Sequence, residues 1–208
     1  MKTQKNFALL FILPILFTIT TILMLNGNFK AIDGFFHEFL RNNITQAKTA
    51  IAIALSFIGS YKFYILITIL FLFIKINSQR FGLLFGIVCG CSFLVNTVLK
   101  NQIQRTRPNI PWLEHASSYS YPSGHSMVSM SVFIFMAFVI YKNTSSIKLK
   151  KLIIVFAPLL SISIAFSRIY LGVHFFSDCL AGLILGTLTG LLFCKLYTHK
   201  KLNFLILK

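Results

Sequence analysis

Long apolar runs broken by short polar stretches organise this chain. The clearest cover roughly residues 7–25, 61–76, 81–99, 124–141, 151–168 and 175–195. A helix needs about twenty apolar residues to cross the hydrocarbon layer. The pattern therefore predicts an all-α polytopic membrane bundle of six transmembrane helices, forming one domain over residues 1–208. Residues 47–58 are apolar but short, and Gly59-Ser60 marks a break after them. That segment is either an interfacial piece or the first half of a kinked second span. Residues 32–44 follow a different rule. Ile32, Phe35, Phe36, Phe39 and Leu40 recur at helical spacing, with Asp33, His37, Glu38 and Arg41 between them. This predicts an amphipathic helix, either lying in the outer interface or packed on the bundle. Gly82, Gly86 and Gly90 recur every four residues in the third span, as do Gly182, Gly186 and Gly190 in the sixth. Small residues at this spacing let membrane helices approach closely, so these two stripes are candidates to pack on one another.

Composition sharpens the membrane reading. The chain is 56% hydrophobic and 12% charged, against about 25% charged in soluble proteins. Its net charge of +16 could indicate nucleic acid, but the cations lie between apolar runs and form no continuous stripe, so no nucleic-acid partner is expected. Cys89, Cys91, Cys179 and Cys194 all fall in apolar stretches without zinc-type spacing, which suits packing rather than metal binding. No signal-peptide cleavage site is evident, so the first run is expected to remain as a span.

The positive-inside rule sets the orientation. With the N-terminus in the cytoplasm and six spans, twelve cations fall inside: Lys2, Lys5, Lys75, Arg80, Lys142, Lys148, Lys150, Lys151, Lys195, Lys200, Lys201 and Lys208. Eight fall outside: Lys30, Arg41, Lys48, Lys62, Lys100, Arg105, Arg107 and Arg168. Counting 47–58 as a separate span would move the Lys148-Lys150-Lys151 run outside. The expected multi-pass protein has both termini in the cytoplasm.

Three polar clusters then lie at the extracytoplasmic ends of the spans. They are Lys100-x6-Arg107-Pro108, Pro122-Ser123-Gly124-His125, and Ser167-Arg168-x5-His174-x3-Asp178. The chain has only four acids, Asp33, Glu38, Glu114 and Asp178. A carboxylate at the edge of an apolar run is costly and usually functional, which singles out Asp178. A helix starting near Gly172 would put His174 and Asp178 on one face, where the carboxylate can fix the imidazole tautomer. Ser123 is a good N-cap, and the amides that follow it suit an anion, with Gly124 leaving room for approach. Lys100, Arg107 and Arg168 can hold phosphoryl oxygens without a metal. This inventory suits gripping a phosphate on a membrane substrate and breaking its bond. The residues alone leave open which histidine attacks, although the carboxylate four residues on favours His174.

Taken together, the three clusters resemble the full motif set of the type 2 phosphatidic acid phosphatase (PAP2) superfamily, with every motif position matched. The resemblance extends from about residue 47 to residue 195. Ser118-Tyr119-Ser120-Tyr121 and Ser126-Met127 are similar to the flanks seen in its bacterial phosphatidylglycerophosphate and undecaprenyl-diphosphate phosphatases. One departure is Phe175-Phe176-Ser177 between His174 and Asp178, where many relatives carry Tyr-Pro. The resemblance implies a six-helix lipid phosphatase with no metal or other cofactor. It implies that His174 attacks phosphorus to form a phosphohistidine, Asp178 orients it and His125 protonates the leaving oxygen. Lys100, Arg107, Ser123, Gly124 and Arg168 would bind phosphate. The implied partner is a lipid: undecaprenyl diphosphate, phosphatidylglycerophosphate or a similar phosphate. The loop 109–121, with Trp112, Glu114 and His115, is placed to shape selection. A non-catalytic binder or transporter of anionic lipid is the alternative; vanadate-dependent haloperoxidase chemistry, known from soluble relatives, fits the apolar chain poorly.

Overall fold

The computed structural model describes residues 2–73 and 76–198 of the chain. Among the described residues there are eight helices and no strand: α1 (Lys2–Leu25), α2 (Lys30–Arg41), α3 (Gln46–Ile58), α4 (Tyr61–Phe73), α5 (Ile76–Ile103), α6 (Gly124–Asn143), α7 (Ile147–Tyr170) and α8 (Phe176–Thr198). Five of the six apolar runs form long helices, and the run 61–76 gives the shorter α4 over Tyr61–Phe73, with residues 74 and 75 outside the described residues. Five helices, α1 and α5 to α8, are long and apolar enough to cross a membrane. Helices α3 and α4, 13 residues each, reach only about 20 Å apiece. They meet at a bend of 52° across Gly59-Ser60 and make a sixth span only if counted as one broken helix. A side chain at Gly59 would lie 2.5 Å from Ile164 and 3.3 Å from the His125 ring. The glycine thus brings the break against α6 and α7. Of the cations in the topology tally, Lys75, Lys200, Lys201 and Lys208 lie outside the described residues, as do the side chains of Lys2, Lys5, Arg41 and Arg80.

Helix α6 is the hub, with ten buried residues. One apolar core joins it to α4, α5 and α8 through Tyr64, Phe85, Val88, Val128, Val132, Phe135 and Cys194. A Ser92–Ser131 hydroxyl bond of 2.7 Å ties α5 to α6, a polar link common between membrane helices. Large apolar side chains stay exposed along the outer faces of α1, α4 and α7, including Phe11, Ile15, Leu66, Phe73, Val155 and Phe156. Such faces are suited to lipid rather than water.

The expected pairing of the two glycine stripes does not occur. Cβ atoms at Gly182, Gly186 and Gly190 would strike Ser123 O, Met127 O and Ser131 O of α6 at 2.6, 2.4 and 2.9 Å. Those at Gly82 and Gly86 would meet Phe71 and Thr68 of α4. Each stripe therefore admits a different neighbour, because the hub helix α6 needs the closest approach of α8. The close α6–α8 contact also places the α8 start beside the α6 start, with Ser123 N–H donating to Asp178 O at 3.0 Å.

The amphipathic segment forms a helix, and of its two expected placements the packing of the whole apolar face on the bundle does not occur. Asp33 and His37 are buried, whereas Ile32, Phe35 and Phe39 are exposed. Only Phe36 and Leu40 of the apolar set pack on the bundle, against a core of Ala165, Ile169 and Cys179. In a bilayer, an apolar outer face costs nothing to leave exposed, and the polar face gains partners inside.

Candidate active site

The alternation of the helices brings four ends together. The C-terminal ends of α5 and α7 and the N-terminal ends of α6 and α8 meet under the loop 104–123, beside α2. All eight site residues expected from the sequence lie at this end.

His174 is 2% exposed and Asp178 fully buried. The helix α8 starts at Phe176, not near Gly172, so His174 precedes it rather than riding on its face. Gly172, at φ +78°, turns the chain after α7 and ends that helix four residues short of the histidine. Asp178 lies in the first turn of α8, and its Oδ2 accepts Phe175 N–H at 2.9 Å. This is the reach-back of a helix-start carboxylate to the preceding amide. The His174 Nδ1–Asp178 Oδ2 contact is 3.3 Å. Ser120 donates its hydroxyl to the same Oδ2, and its Oγ lies 3.3 Å from Nδ1. The network assigns the imidazole proton to Nδ1. Nε2 is then left with its lone pair, 3.4 Å from an Arg107 guanidinium nitrogen. Burial, followed by the charges of Lys100, Arg107 and Arg168, holds the His174 pKa well below its ordinary 6.5, with the imidazole's hydrogen bond to the Ser120 backbone opposing. The imidazole is neutral at pH 7 and its Nε2 is available for attack.

The three expected cations surround this ring. Lys100 donates to the carbonyls of Tyr119 and Ser120, the latter at 3.2 Å. Arg107 donates from Nε to Ser118 O at 2.7 Å and from a terminal nitrogen to Val173 O at 2.6 Å. Burial and the charge of Arg168 lower the Arg107 pKa to about 10, so it stays cationic at pH 7. Arg168 is 2% exposed. It bonds Ser56 of α3 and, at 2.7 Å, the Glu114 carboxylate of the loop. Its buried Nε–H has no protein partner. A buried donor left unpaired costs free energy, and an anion in the pocket would satisfy it.

Ser123 is the N-cap residue of α6, but its side chain does not cap the helix. Its Oγ instead accepts from Ser126 at 3.0 Å. The first-turn amides of α6 are therefore free of a side-chain cap, which suits an anion. Gly124 plays a different part from the open approach expected. A Cβ there would lie 2.9 Å from the Asn96 carboxamide, so the missing side chain makes room for Asn96. Asn96 in turn donates to Pro122 O at 3.1 Å and holds the turn. His125 rests against Gly59 and within electrostatic reach of Lys100, Arg107, Arg168 and His174.

Several participants carry no motif signal. Arg105 bonds Asp178 Oδ1 at 2.6 Å and Asp33 Oδ2 at 2.8 Å. His37 Nε2 meets the His174 carbonyl at 3.1 Å. Ser120, Ser56, Asn96 and Ser177 complete the polar shell. Asp33 was findable as one of only four acids, set in a helix among apolar residues. The serines and Asn96 have no such mark. Among the described residues, no three His, Cys, Asp or Glu side chains converge as a metal site would require.

The chain resembles known proteins over this same arrangement. Residues 108 in length match phosphatidylglycerophosphatase B of Bacillus subtilis (strain 168) at 43% identity, over 51% of this chain and 53% of that protein. The bacitracin transport permease protein BcrC of Bacillus licheniformis matches at 34% over 48% of this chain and 44% of that one. The chain thus spans about half the length of the curated relatives it matches. The crystal structure of a transmembrane PAP2-type phosphatidylglycerolphosphate phosphatase from Bacillus subtilis superposes with a TM-score of 0.82 at 28% identity, covering 90% of this chain and 94% of that one. The Aquifex aeolicus LpxE structure shares the fold, with a TM-score of 0.53 at 22% identity over 76% and 92% of the two chains. The PAP2 superfamily model matches residues 80–201. That stretch runs from α5 to the end of α8 and carries all three polar clusters at their full spacing. This multi-pass membrane chain therefore belongs to the PAP2 superfamily.

Proposed function

We propose that the protein is a metal-independent membrane lipid phosphatase acting through a phosphohistidine. The observation that carries this reading is the cluster of buried Lys100 and Arg168 and half-buried Arg107 around the neutral Nε2 of His174, with the Arg168 Nε–H unpaired among the described residues. Three cations can neutralise a phosphoryl group in a low-dielectric site, where they act more strongly than in water. His174 Nε2 attacks phosphorus, and its Nδ1 proton stays with Asp178 and Ser120 as the ring gains charge. His125, at the α6 start, gives the leaving oxygen its proton. Water then attacks the phosphohistidine and gives a proton back to His125 as the Nε2–P bond breaks, which releases phosphate and restores both histidines. Ser123 and Gly124 contribute the α6 amides to the phosphoryl oxygens.

The substrate is a lipid phosphate or diphosphate, with phosphatidylglycerophosphate and undecaprenyl diphosphate the leading candidates. The name of the Bacillus subtilis relative supports the first. The name of BcrC, a transport permease, keeps a non-catalytic binder or transporter as the second reading. Phosphate release by the purified protein from a panel of undecaprenyl diphosphate, phosphatidylglycerophosphate, phosphatidic acid and a short soluble diphosphate separates the two. Release from at least one lipid supports the enzyme; binding with no release supports the alternative. The rate is expected to be unchanged in excess EDTA, because cations occupy the places where magnesium would need carboxylates. Loss of activity restored by magnesium would contradict the mechanism.

The single domain of residues 1–208 has six spans, with α3 and α4 as one broken span and α2 at the interface. The site faces away from the cytoplasm. The start of α1 and the end of α8 lie at the opposite end of the bundle from the site, so on this reading both termini are inside. The twelve-to-eight cation bias supports this orientation. Ser117 lies exposed on the loop over the site. A Ser117→Cys variant without the native cysteines is expected to react with an impermeant maleimide on intact cells. Labelling only after the cytoplasmic side is opened would reverse the topology.

A further inference from the structure

Asp178 does not stand alone in the site. Arg105 lies between two buried carboxylates, one on α8 and one on α2. Its terminal nitrogens bond Asp178 Oδ1 at 2.6 Å and Asp33 Oδ2 at 2.8 Å. The Asp178 and Asp33 side chains are 0% and 4% exposed, and that of Arg105 is 18% exposed. Two anions so far from water need a shared cation. The same guanidinium nitrogen that holds Asp178 also donates to Ser177 Oγ at 2.7 Å. Ser177 returns its N–H to Asp33 Oδ1 at 2.9 Å and its hydroxyl to Asp33 Oδ2 at 2.8 Å. The guanidinium lies over the Phe175 ring, 4.0 Å from its centroid, and His37 packs against the same Phe175, with ring centroids 5.2 Å apart.

We propose that Arg105 and Asp33 are positioning residues that fix Asp178 so that its Oδ2 faces His174 Nδ1. The proposal rests on the assignment of His174 as the nucleophile and Asp178 as its orienter. Arg105 occupies Oδ1, which leaves Oδ2 for the imidazole, Ser120 and the Phe175 amide. Asp33 fixes the far side of the guanidinium and clamps Ser177, the residue before Asp178. Helix α2 supplies Asp33 from its buried polar face while Ile32, Phe35 and Phe39 face outward. The seating of α2 against the membrane thereby reaches the reacting histidine through a single arginine. Neither residue touches the substrate in this scheme; each acts through Asp178.

The charged and titratable groups around His174 decide how the variants should behave. They are Lys100 from α5, Arg107 from the loop, Arg168 from α7, His125 from α6 and Asp178 from α8, with Arg105 and Asp33 behind Asp178 and His37 at the His174 carbonyl. Arg105→Gln removes a cation, so His174 should protonate more readily and the acid limb of kcat/KM should move to higher pH. Asp33→Asn removes an anion and keeps an acceptor for the Ser177 amide, so the limb should move to lower pH. The double variant should return the limb towards its starting position. Arg105→Lys keeps the charge but cannot span both carboxylates, so it should lower kcat without moving the limb.

The test measures pH profiles of kcat and kcat/KM for these four variants and the parent, purified in detergent, on the panel lipid that the parent hydrolyses fastest. For Arg105→Gln the expected loss in kcat is on the order of 10²-fold, the scale of a small misplacement of reacting groups, with KM changed far less. The double variant should be less impaired than the product of the two single losses. If Arg105→Gln fails to fold, a lowered kcat in Arg105→Lys together with an acid limb moved to lower pH in Asp33→Asn carries the same conclusion. Folded variants with parental kcat, or unmoved acid limbs in Arg105→Gln and Asp33→Asn, would overturn the positioning role while leaving the phosphatase intact. A parent that releases no phosphate from any lipid would overturn both.

Discussion

His174→Ala is expected to abolish lipid-phosphate hydrolysis while leaving phosphate binding nearly intact. The imidazole supplies the attacking Nε2, but the anion is held by others: Lys100, Arg107, Arg168 and the uncapped α6 amides. Removing a nucleophile that works as part of a unit costs on the order of 10⁴-fold or more in kcat. Removing one contact among many costs little binding. Activity and calorimetric binding of inorganic phosphate, measured on the same folded protein, check the two halves together. Weak binding with substantial residual turnover would invert the assignment and make His174 a phosphate ligand.

Asp178→Asn is the second severe change. The carboxylate takes bonds from Arg105, Ser120 and the Phe175 amide besides its contact with His174. An amide in its place leaves Arg105 shared by one carboxylate instead of two. It also offers Nδ1 an N–H in one of its two orientations, which would favour the wrong tautomer. In the serine protease triad the comparable change costs about 10⁴-fold. Here Lys100, Arg107 and Arg168 still stabilise the phosphoryl group, so a loss of about 10²- to 10³-fold in kcat is expected. Steady-state kinetics on the fastest panel lipid would test this. A kcat within a few-fold of the parent would show that Asp178 is a helix-start residue only, bonding Phe175 and Arg105 without serving His174.

Five of the spans were legible because membrane burial acts on every residue of a run. The run 61–76 read as a full span but gives only the 13-residue α4 over its described residues, while the break at Gly59-Ser60 was legible from the glycine that follows the short run 47–58. Helix α2 was legible as an amphipathic helix. Amphipathic spacing gives two faces without saying which turns inward, and here Asp33 and His37 are the buried ones. The glycine stripes failed similarly. Gly182, Gly186 and Gly190 announce a close approach without naming the neighbour, which proved to be α6 rather than α5. The site residues came together because paired motifs at alternating helix ends can meet at only one end of the bundle. Arg105 escaped notice beside Arg107, since its value depends on Asp33, some seventy residues earlier in the chain. No local pattern records that meeting. Glu114 was seen only as a loop residue, and its bond to Arg168 depends on how the loop folds over α7.

The central claim is that His174 carries the phosphoryl group, with His125 serving the leaving oxygen. Rapid-quench trapping with substrate labelled in the phosphoryl group to be transferred tests it most directly. The account predicts protein-bound label that is stable to alkali and labile to acid, absent from His174→Ala and still formed by His125→Ala on a substrate with a good leaving group. Label that persists in His174→Ala and vanishes in His125→Ala would contradict it.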